Sequence, residues 1–315
     1  DLRSEYGFDW TVTGIADLLK GSAYDPGGLD LAEAVTRAER GESLSDWGDF
    51  GTDWDAHTMI ANAEADAVVE VTYTDIETGQ PATDHIRAAL DRGLHVTTTN
   101  KGPVTLYSRE LSALARQRQC RFLFEGTVMA GTPLLNLIRE TLTGSTISEM
   151  RGILNGTTNF ILTQMESGMD YSTALARAQE LGYAEAVPDA DVLGYDALAK
   201  VTILANVVFD GDLKPADSPC QGITEITPDD IERATRDGKR HKLIGHVERD
   251  GDAVRASVAP QLVDLSHPLA GVGGATNAMT IRTDAIGDVT IVGPGAGRRE
   301  TGFSLLNDLL TIWRQ

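Results

Sequence analysis

The first 133 residues alternate short apolar runs with amphipathic stretches, and no other feature limits the fold as much. WTVTGIAD (Trp10–Asp17), ADAVVEVTYT (Ala65–Thr74), LHVTTTN (Leu94–Asn100) and the start of CRFLFEGTVMAGTPLL (Cys120–Leu135) read as strands. Between them Asp30–Arg40, Asp55–Glu64, Pro81–Gly93 and Ser108–Gln119 read as helices, the third stopped by its glycine. Such repetition builds a parallel sheet with helices on its faces, so the fold class is α/β, of the doubly wound nucleotide-binding kind. The opening DLRSEYGFDW reads as a helix end running into a strand, and Gly41–Trp54 as a surface loop with Trp47 and Trp54 as packing anchors.

Open α/β sheets bind ligands beyond the carboxyl ends of their strands. Asp17 ends the first run where an acid commonly accepts the ribose hydroxyls of NAD, although a strand-terminal turn residue explains it as simply. The glycine-rich phosphate loop expected upstream of Asp17 is not in the sequence. Thr72, Thr74 and Asn100 end the next two runs and are candidate cofactor contacts. Lys101 follows in Asn-Lys-Gly-Pro, a turn that can aim a lysine at a substrate; a solvated turn lysine is the plainer use, but the chain has only six lysines. After Cys120 the run breaks at Gly126 and Gly131. Exposed carbonyls in such a loop can coordinate a monovalent cation, or the glycines merely permit a tight crossing between domains.

The second half has longer elements. Leu134–Thr143 reads as a helix, Ile147–Leu154 as a strand, and Asn155–Asn159 as a tight turn whose free amides suit a carboxylate at the start of a helix Asn159–Gly168. The helix Ser172–Leu181 leads into LGYAEAVPDADVLGYDALAK (Leu181–Lys200), where Glu185, Asp189, Asp191 and Asp196 crowd a loop shaped by Gly182, Tyr183, Pro188 and Gly194. DALAKVTILANVVF continues as an apolar helix, with Asp196 and Lys200 on one face. That places an acid and a base at the polar end of a buried helix, facing a cleft. The commoner use of such residues is a surface ion pair worth little. Asp229–Asp237 reads as a helix, and Lys239–Ile291 as strands and turns on which helices pack and two copies meet. Asp288–Leu310 reads as strand, turn and helix returning to the first domain, its helix N-terminus toward the cofactor; GPGAG does not complete a GxGxxG.

A chain of 315 residues holds two ordinary domains. A net charge of −20 excludes nucleic acid and anionic membranes as partners. Six lysines against 21 arginines, with acid in excess, resemble the balance of proteins from salt-loving organisms; an acidic mesophile protein is the alternative. Cys120 and Cys220 lack CxxC spacing and nearby histidines, which argues against zinc and disulfides. His241 and His246 fall on opposite faces of one strand. No apolar run reaches membrane-spanning length and no signal peptide is visible, so the expectation is cytoplasmic.

Five segments complete the picture: TTTNKGP (Thr97–Pro103), GTVMAGTPLL (Gly126–Leu135), RGILNGTTNFILTQM (Arg151–Met165), GYAEAVPDADVLGYDALAK (Gly182–Lys200) and VGPGAGRRETG (Val292–Gly302). Together they resemble homoserine dehydrogenase, in the expected order over nearly the whole chain. The resemblance implies a Rossmann-like dinucleotide-binding domain, residues 1–133 and 293–315, lacking its first strand and Gly-rich loop, and an α+β substrate-binding and dimerisation domain, residues 134–292. It implies NAD(P)-dependent interconversion of L-aspartate 4-semialdehyde and L-homoserine in threonine and methionine biosynthesis. The expected form is the short, single-function one, a homodimer with no kinase domain before it and no regulatory domain after it.

By the same resemblance, Glu185 and Asp191 match acids that bind the substrate's amino end, and Thr157, Gly182 and Tyr183 match pocket positions. Asp196 and Lys200 match residues beside the reacting carbon, and Lys101 the lysine of the NKGP loop. Backbone oxygens of Glu125, Val128, Ala130 and Thr132 match a site for sodium or potassium. Gly295 and Gly297 lie in the segment that closes near the nicotinamide. Two departures stand out: Val187 replaces an acid common in the family's E-x-D-P run, and Leu18-Leu19-Lys20 replaces Ser-Arg, the usual arginine for a 2′-phosphate. Asp17 thus favours NAD, while Lys20 leaves room for NADP. Reducing an aldehyde to an alcohol needs a hydride from the nicotinamide and a proton on the carbonyl oxygen. The expectation is that Lys101 and Lys200 flank that oxygen, one as acid/base and one supporting charge, with Asp196 orienting Lys200. The alternatives are an oxidoreductase of another small aldehyde and a non-catalytic homologue.

Overall fold

In a computed structural model describing residues 2–314, the chain falls into two units. The first comprises Asp1–Pro103, Glu110–Phe124 and Leu305–Gln315, the second Val104–Arg109 and Glu125–Ser304. The crossing therefore lies at Phe124/Glu125 and the return at Ser304/Leu305, where the sequence reading had placed them at 133/134 and 292/293. Hydrogen bonds explain the shift. The Glu125 carboxylate accepts the amides of Leu134 and Leu135 at 2.7 and 3.0 Å, and the Thr132 hydroxyl donates to the Pro294 carbonyl at 2.9 Å, tying the 125–132 loop and the end of the last strand to the second unit.

The first unit contains α1 (Leu2–Tyr6), β1 (Gly14–Asp17), β2 (Gly21–Tyr24), α2 (Leu31–Glu39), β3 (Gly51–Thr52), α3 (Ala56–Asn62), β4 (Ala67–Glu70), α4 (Ala82–Asp91), β5 (His95–Thr98), α5 (Lys101–Gln117) and β6 (Phe122–Leu123). β4, β5 and β6 form the expected parallel sheet. Ile86, Ala89 and Leu90 of α4 and Leu111 of α5 are fully buried, which is why these helices hold their place. Trp47 packs edge-on to Phe50 and Trp54 against Tyr24, as anchors.

Three expectations need correction here. The run Trp10–Asp17 is strand only from Gly14, and it pairs antiparallel with β2 in a separate β1-β2-β3 sheet. Asp17 closes that hairpin: its Oδ1 accepts the amides of Leu19 and Lys20 at 2.8 and 2.7 Å, and Gly21 takes φ +79° to re-enter the strand. The parallel-sheet position on which its ribose-binding role rested is not where Asp17 lies. Second, Ala65–Thr74 is strand only over β4. Third, α5 starts at Lys101, not Ser108. Asn100 caps it by accepting the Gly102 amide at 3.1 Å, and Pro103 sits in the first turn, where a missing N–H costs nothing.

The second unit contains α6 (Leu135–Thr141), β7 (Ile147–Ile153), α7 (Gly156–Glu166), α8 (Tyr171–Glu180), α9 (Asp189–Val192), α10 (Tyr195–Val208), α11 (Pro228–Arg236), β8 (Lys239–Asp250), β9 (Ala253–Asp264), β10 (Thr276–Thr283), β11 (Gly287–Pro294) and the start of α12 (Arg298–Trp313). Its sheet runs β11-β10-β7-β8-β9, every neighbouring pair antiparallel. A two-residue turn, Gly251-Asp252, joins the paired β8 and β9. α10 is buried from Ala197 to Ala205, as a helix apolar on all sides must be, and packs on β8 and β9. Gly245 makes the close approach possible: a side chain there would meet Val201 at 2.6 Å.

α7 starts at Gly156, three residues before the expected Asn159, because Asn155 caps it. A Cβ at Gly156 would lie 2.6 Å from the Ala275 carbonyl. The neighbouring Asn159 holds the same loop: its Nδ2 lies 3.3, 2.9 and 3.1 Å from the carbonyls of Val272, Gly274 and Thr276. A Rossmann-like parallel sheet and a separate antiparallel-sheet unit thus bear out the α/β reading. No helix among the described residues is long and apolar enough to cross a membrane.

Candidate active site

The junction of β7 and α7 builds the site. β7 ends at Ile153, and the next two residues turn their polar atoms toward the start of α10. Lys200, only 7% exposed, donates to the Leu154 carbonyl and to Asp196 Oδ2, both at 2.7 Å. One helical turn separates Asp196 from Lys200, so the buried ammonium meets its counter-ion within its own helix. Asn155 Nδ2 donates to Asp191 Oδ1 at 2.6 Å and to Asp196 Oδ2 at 3.0 Å. Burial pushes the Asp191 carboxyl above the usual carboxylate range; the Asn155 hydrogen bond opposes this, and the nearby Asp196 charge adds to it.

The loop before α9 is tied to α7. The Thr157 hydroxyl donates to the Tyr183 carbonyl at 2.6 Å, and the Tyr183 ring rests on Phe160 with centroids 5.0 Å apart. Gly182 supplies the φ of +75° that ends α8. Glu185 is exposed; its backbone carbonyl accepts from Gln179 at 3.0 Å, while its carboxylate stays outside the hydrogen-bonded cluster. The second unit thus gathers Thr157, Tyr183, Asp191, Asp196 and Lys200, and leaves Glu185 on the rim loop.

In the first unit the carboxyl ends of β4 and β5 converge on Glu70. The Thr72 hydroxyl and amide and the Thr98 hydroxyl donate to its carboxylate, and His85 Nδ1 lies 3.8 Å away. Burial alone raises this carboxyl, but the contacts from His85 and Thr72 outweigh it and hold the group below the usual range. Asn100 Nδ2 donates to the carbonyls of Thr72 and Tyr73 at 3.3 and 3.0 Å, joining the two strand ends. Thr74 is exposed beside them, and Lys101 is the first residue of α5.

In the loop of Glu125, Val128, Ala130 and Thr132, all four residues are buried, and Met129 and Ala130 adopt left-handed φ of +62° and +46°. Gly295 and Gly297 lie in the second unit, and local structure accounts for both: a Cβ at Gly295 would strike the buried Asn277 amide at 2.0 Å, and Gly297 holds a φ of +131° that residues with a side chain rarely adopt. Asn155 and Glu70 are the two contributors that sequence reasoning passed over. Asn-Gly-Thr-Thr carries a helix-cap signal, but nothing in it points to acids 36 and 41 residues further on.

The homoserine dehydrogenase family model matches residues 133–310, more than half of the chain. This chain belongs to the homoserine dehydrogenase family. It is 45% identical to the NAD(+)-dependent homoserine dehydrogenase of Pseudomonas canavaninivorans, over 98% of this chain and 88% of that one. It is 40% identical to the homoserine dehydrogenase of Methanocaldococcus jannaschii, over 97% and 89% of the two chains. Among solved structures, a hyperthermophilic archaeal homoserine dehydrogenase in complex with NADPH superposes with a TM-score of 0.84 at 29% identity, covering 99% of this chain and 92% of that one. The family match spans Asn155, Asp191, Asp196 and Lys200 alike.

Proposed function

We propose that this chain catalyses the NAD(P)-dependent interconversion of L-homoserine and L-aspartate 4-semialdehyde. The observation that carries the reading is the buried Lys200, tied to Asp196 and the Leu154 carbonyl beside a second carboxylate, Asp191, on a chain of this family. When bound, the nicotinamide supplies or accepts the hydride at the reacting carbon. The residues do the rest. Asp191, with Glu185 from the rim loop, binds the substrate ammonium; Thr157 and Tyr183 fix the loop that carries Glu185 and leads into α9. Lys200 moves the proton at the substrate oxygen, Asp196 orients it, and Lys101 is the second cationic group of the reaction. General acid–base catalysis of this kind contributes roughly 10²–10⁴-fold.

The carboxyl ends of β4 and β5 are where open parallel sheets bind a dinucleotide: Thr72 and Thr74 would contact it, and the buried Asn100 would shape the site by joining the two strand ends. Gly295 and Gly297, in the turn before α12, are further proposed cofactor contacts. Backbone oxygens of Glu125, Val128, Ala130 and Thr132 are the proposed ligands of a sodium or potassium ion, on a loop whose Met129 and Ala130 take left-handed φ. The sheet of the second unit presents Glu149, Arg151, His246, Glu248 and Arg282 on one face, a polar surface on which a second copy would form the homodimer. The acid excess suits a cytoplasmic protein that stays soluble in concentrated salt.

The test is homoserine oxidation with NAD and with NADP, at low and at molar KCl, and with NaCl or KCl replaced by a tetraalkylammonium salt. The expected result is homoserine-dependent reduction of at least one nicotinamide. A folded protein without turnover on homoserine with either nucleotide would overturn the assignment.

A further inference from the structure

We infer that Asn155 is a positioning residue that locks the substrate-binding acid Asp191 to the lysine-orienting acid Asp196; the inference rests on the function proposed above. Its amide is used completely. Oδ1 accepts the Thr158 backbone N–H at 2.9 Å and the Thr158 hydroxyl at 3.0 Å. A backbone N–H can only donate, so the atom facing it is the oxygen, and this fixes which way the amide points. Both hydrogens of Nδ2 then lie on the other side, one on Asp191 and one on Asp196. The side chain is buried, and the Asp196 oxygen it contacts is the one that accepts Lys200.

A helix cap needs only an oxygen, and serine, threonine or aspartate supply it as well as asparagine. Holding two neighbouring carboxylates needs two donors and no added charge. Asparagine alone does both: a serine caps but does not reach the acids, and an aspartate caps but sets a third carboxylate against two. Without the donor pair, Asp191 and Asp196 repel each other, and Asp191 loses a bond that favours its ionised form. The groups facing Asp191 are Asn155 and Thr157 from the start of α7, and Asp196 and Lys200 from α10. Asn155 therefore acts on the ammonium site and on the orientation of Lys200 at once, without touching the substrate.

The experiment compares the parent with Asn155→Ser and Asn155→Asp, reading melting temperature, the KM and kcat for homoserine across pH, and the titration of the Asp191 carboxyl by carbon NMR. Asn155→Ser should fold, because the cap remains, with a melting temperature lowered by the two hydrogen bonds that the acids lose. Its KM should rise about tenfold or more with a smaller fall in kcat, and both the acid limb of the KM profile and the Asp191 titration should move to higher pH. Asn155→Asp should move them further. Parent-like KM, pH profile and titration in a folded Asn155→Ser overturn the inference; if that variant does not fold, the same values in Asn155→Asp do so. The titration needs no turnover. A parent without homoserine oxidation but with the titration shift in the variant would therefore strike the function and leave the positioning role standing.

Discussion

The second unit buries two lysines, and they differ in what surrounds their partners. Lys200 is bonded to Asp196, which also accepts from the Asn155 amide that holds Asp191. Lys242 is fully enclosed: it donates to Asn159 Oδ1 at 3.1 Å and to the Val272 carbonyl at 2.9 Å, with Glu166 3.8 Å away and Arg240 on the far side of that acid. Burial lowers the Lys242 ammonium and raises Glu166, and each charge only partly offsets the other's penalty. Depth alone does not make a lysine catalytic. Lys242 makes its hydrogen bonds to the buried Asn159 amide and the Val272 carbonyl, whereas Lys200 shares its counter-ion, through Asn155, with the proposed substrate-binding acid Asp191.

The widest separation between the two should appear in turnover. Lys200→Met should cut homoserine oxidation by roughly 10²–10⁴-fold, whereas Lys242→Met should leave kcat nearly unchanged in the folded fraction. Equal losses of kcat at parent-like stability would erase the distinction. Stability should show the reverse order. Lys242→Met strands the Asn159 oxygen and leaves the Val272 carbonyl only its longer bond from Asn159 Nδ2, at a cost of about 1–3 kcal/mol, read as a lower urea midpoint with an unchanged slope. A midpoint equal to the parent's would mean that the enclosed lysine is dispensable to the fold.

A smaller effect sharpens the contrast through pH. Glu166 titrates above its unfolded value, so its folded form binds a proton more readily. The stability tied to that proton is fully present below the ordinary carboxylate pKa and is lost as pH rises through the raised one. The parent should therefore lose stability over that window, and Glu166→Gln should lose less; parallel stability curves for the two proteins would refute this. The smallest change expected is in Thr157→Val, which removes the hydroxyl on the Tyr183 carbonyl. It should cost about 1 kcal/mol, a severalfold rise in KM, and an unaltered KM would take Thr157 out of the pocket's support.

Much of this arrangement was legible in the sequence. Asp196 and Lys200 at i and i+4 on an apolar helix announce a shared face, and α10 places them on one. The parallel β4-β5-β6 core followed from alternating apolar runs. What stayed hidden depends on partners distant in sequence. An apolar run such as Trp10–Asp17 does not say which strand it will pair with or in which direction, and here the neighbour across a short turn won. Gly-Pro at 102–103 resembles a helix stop, yet the first turn tolerates both. The direction of the Asn155 amide is set by a cap on one side and by two acids on the other, and no local pattern encodes that pairing.

Segments between helices and strands usually absorb insertions, which makes them natural places for tags and grafts. The 272–276 segment is an exception. Its carbonyls face the single amide of Asn159, and the Ala275 carbonyl crowds Gly156 at the head of α7, so its length is fixed from two sides. One extra residue there would be felt at Asn155, on the other side of Gly156. The Gly251-Asp252 turn between β8 and β9 carries no such strap, and an engineer seeking an insertion point in the second unit should use it instead.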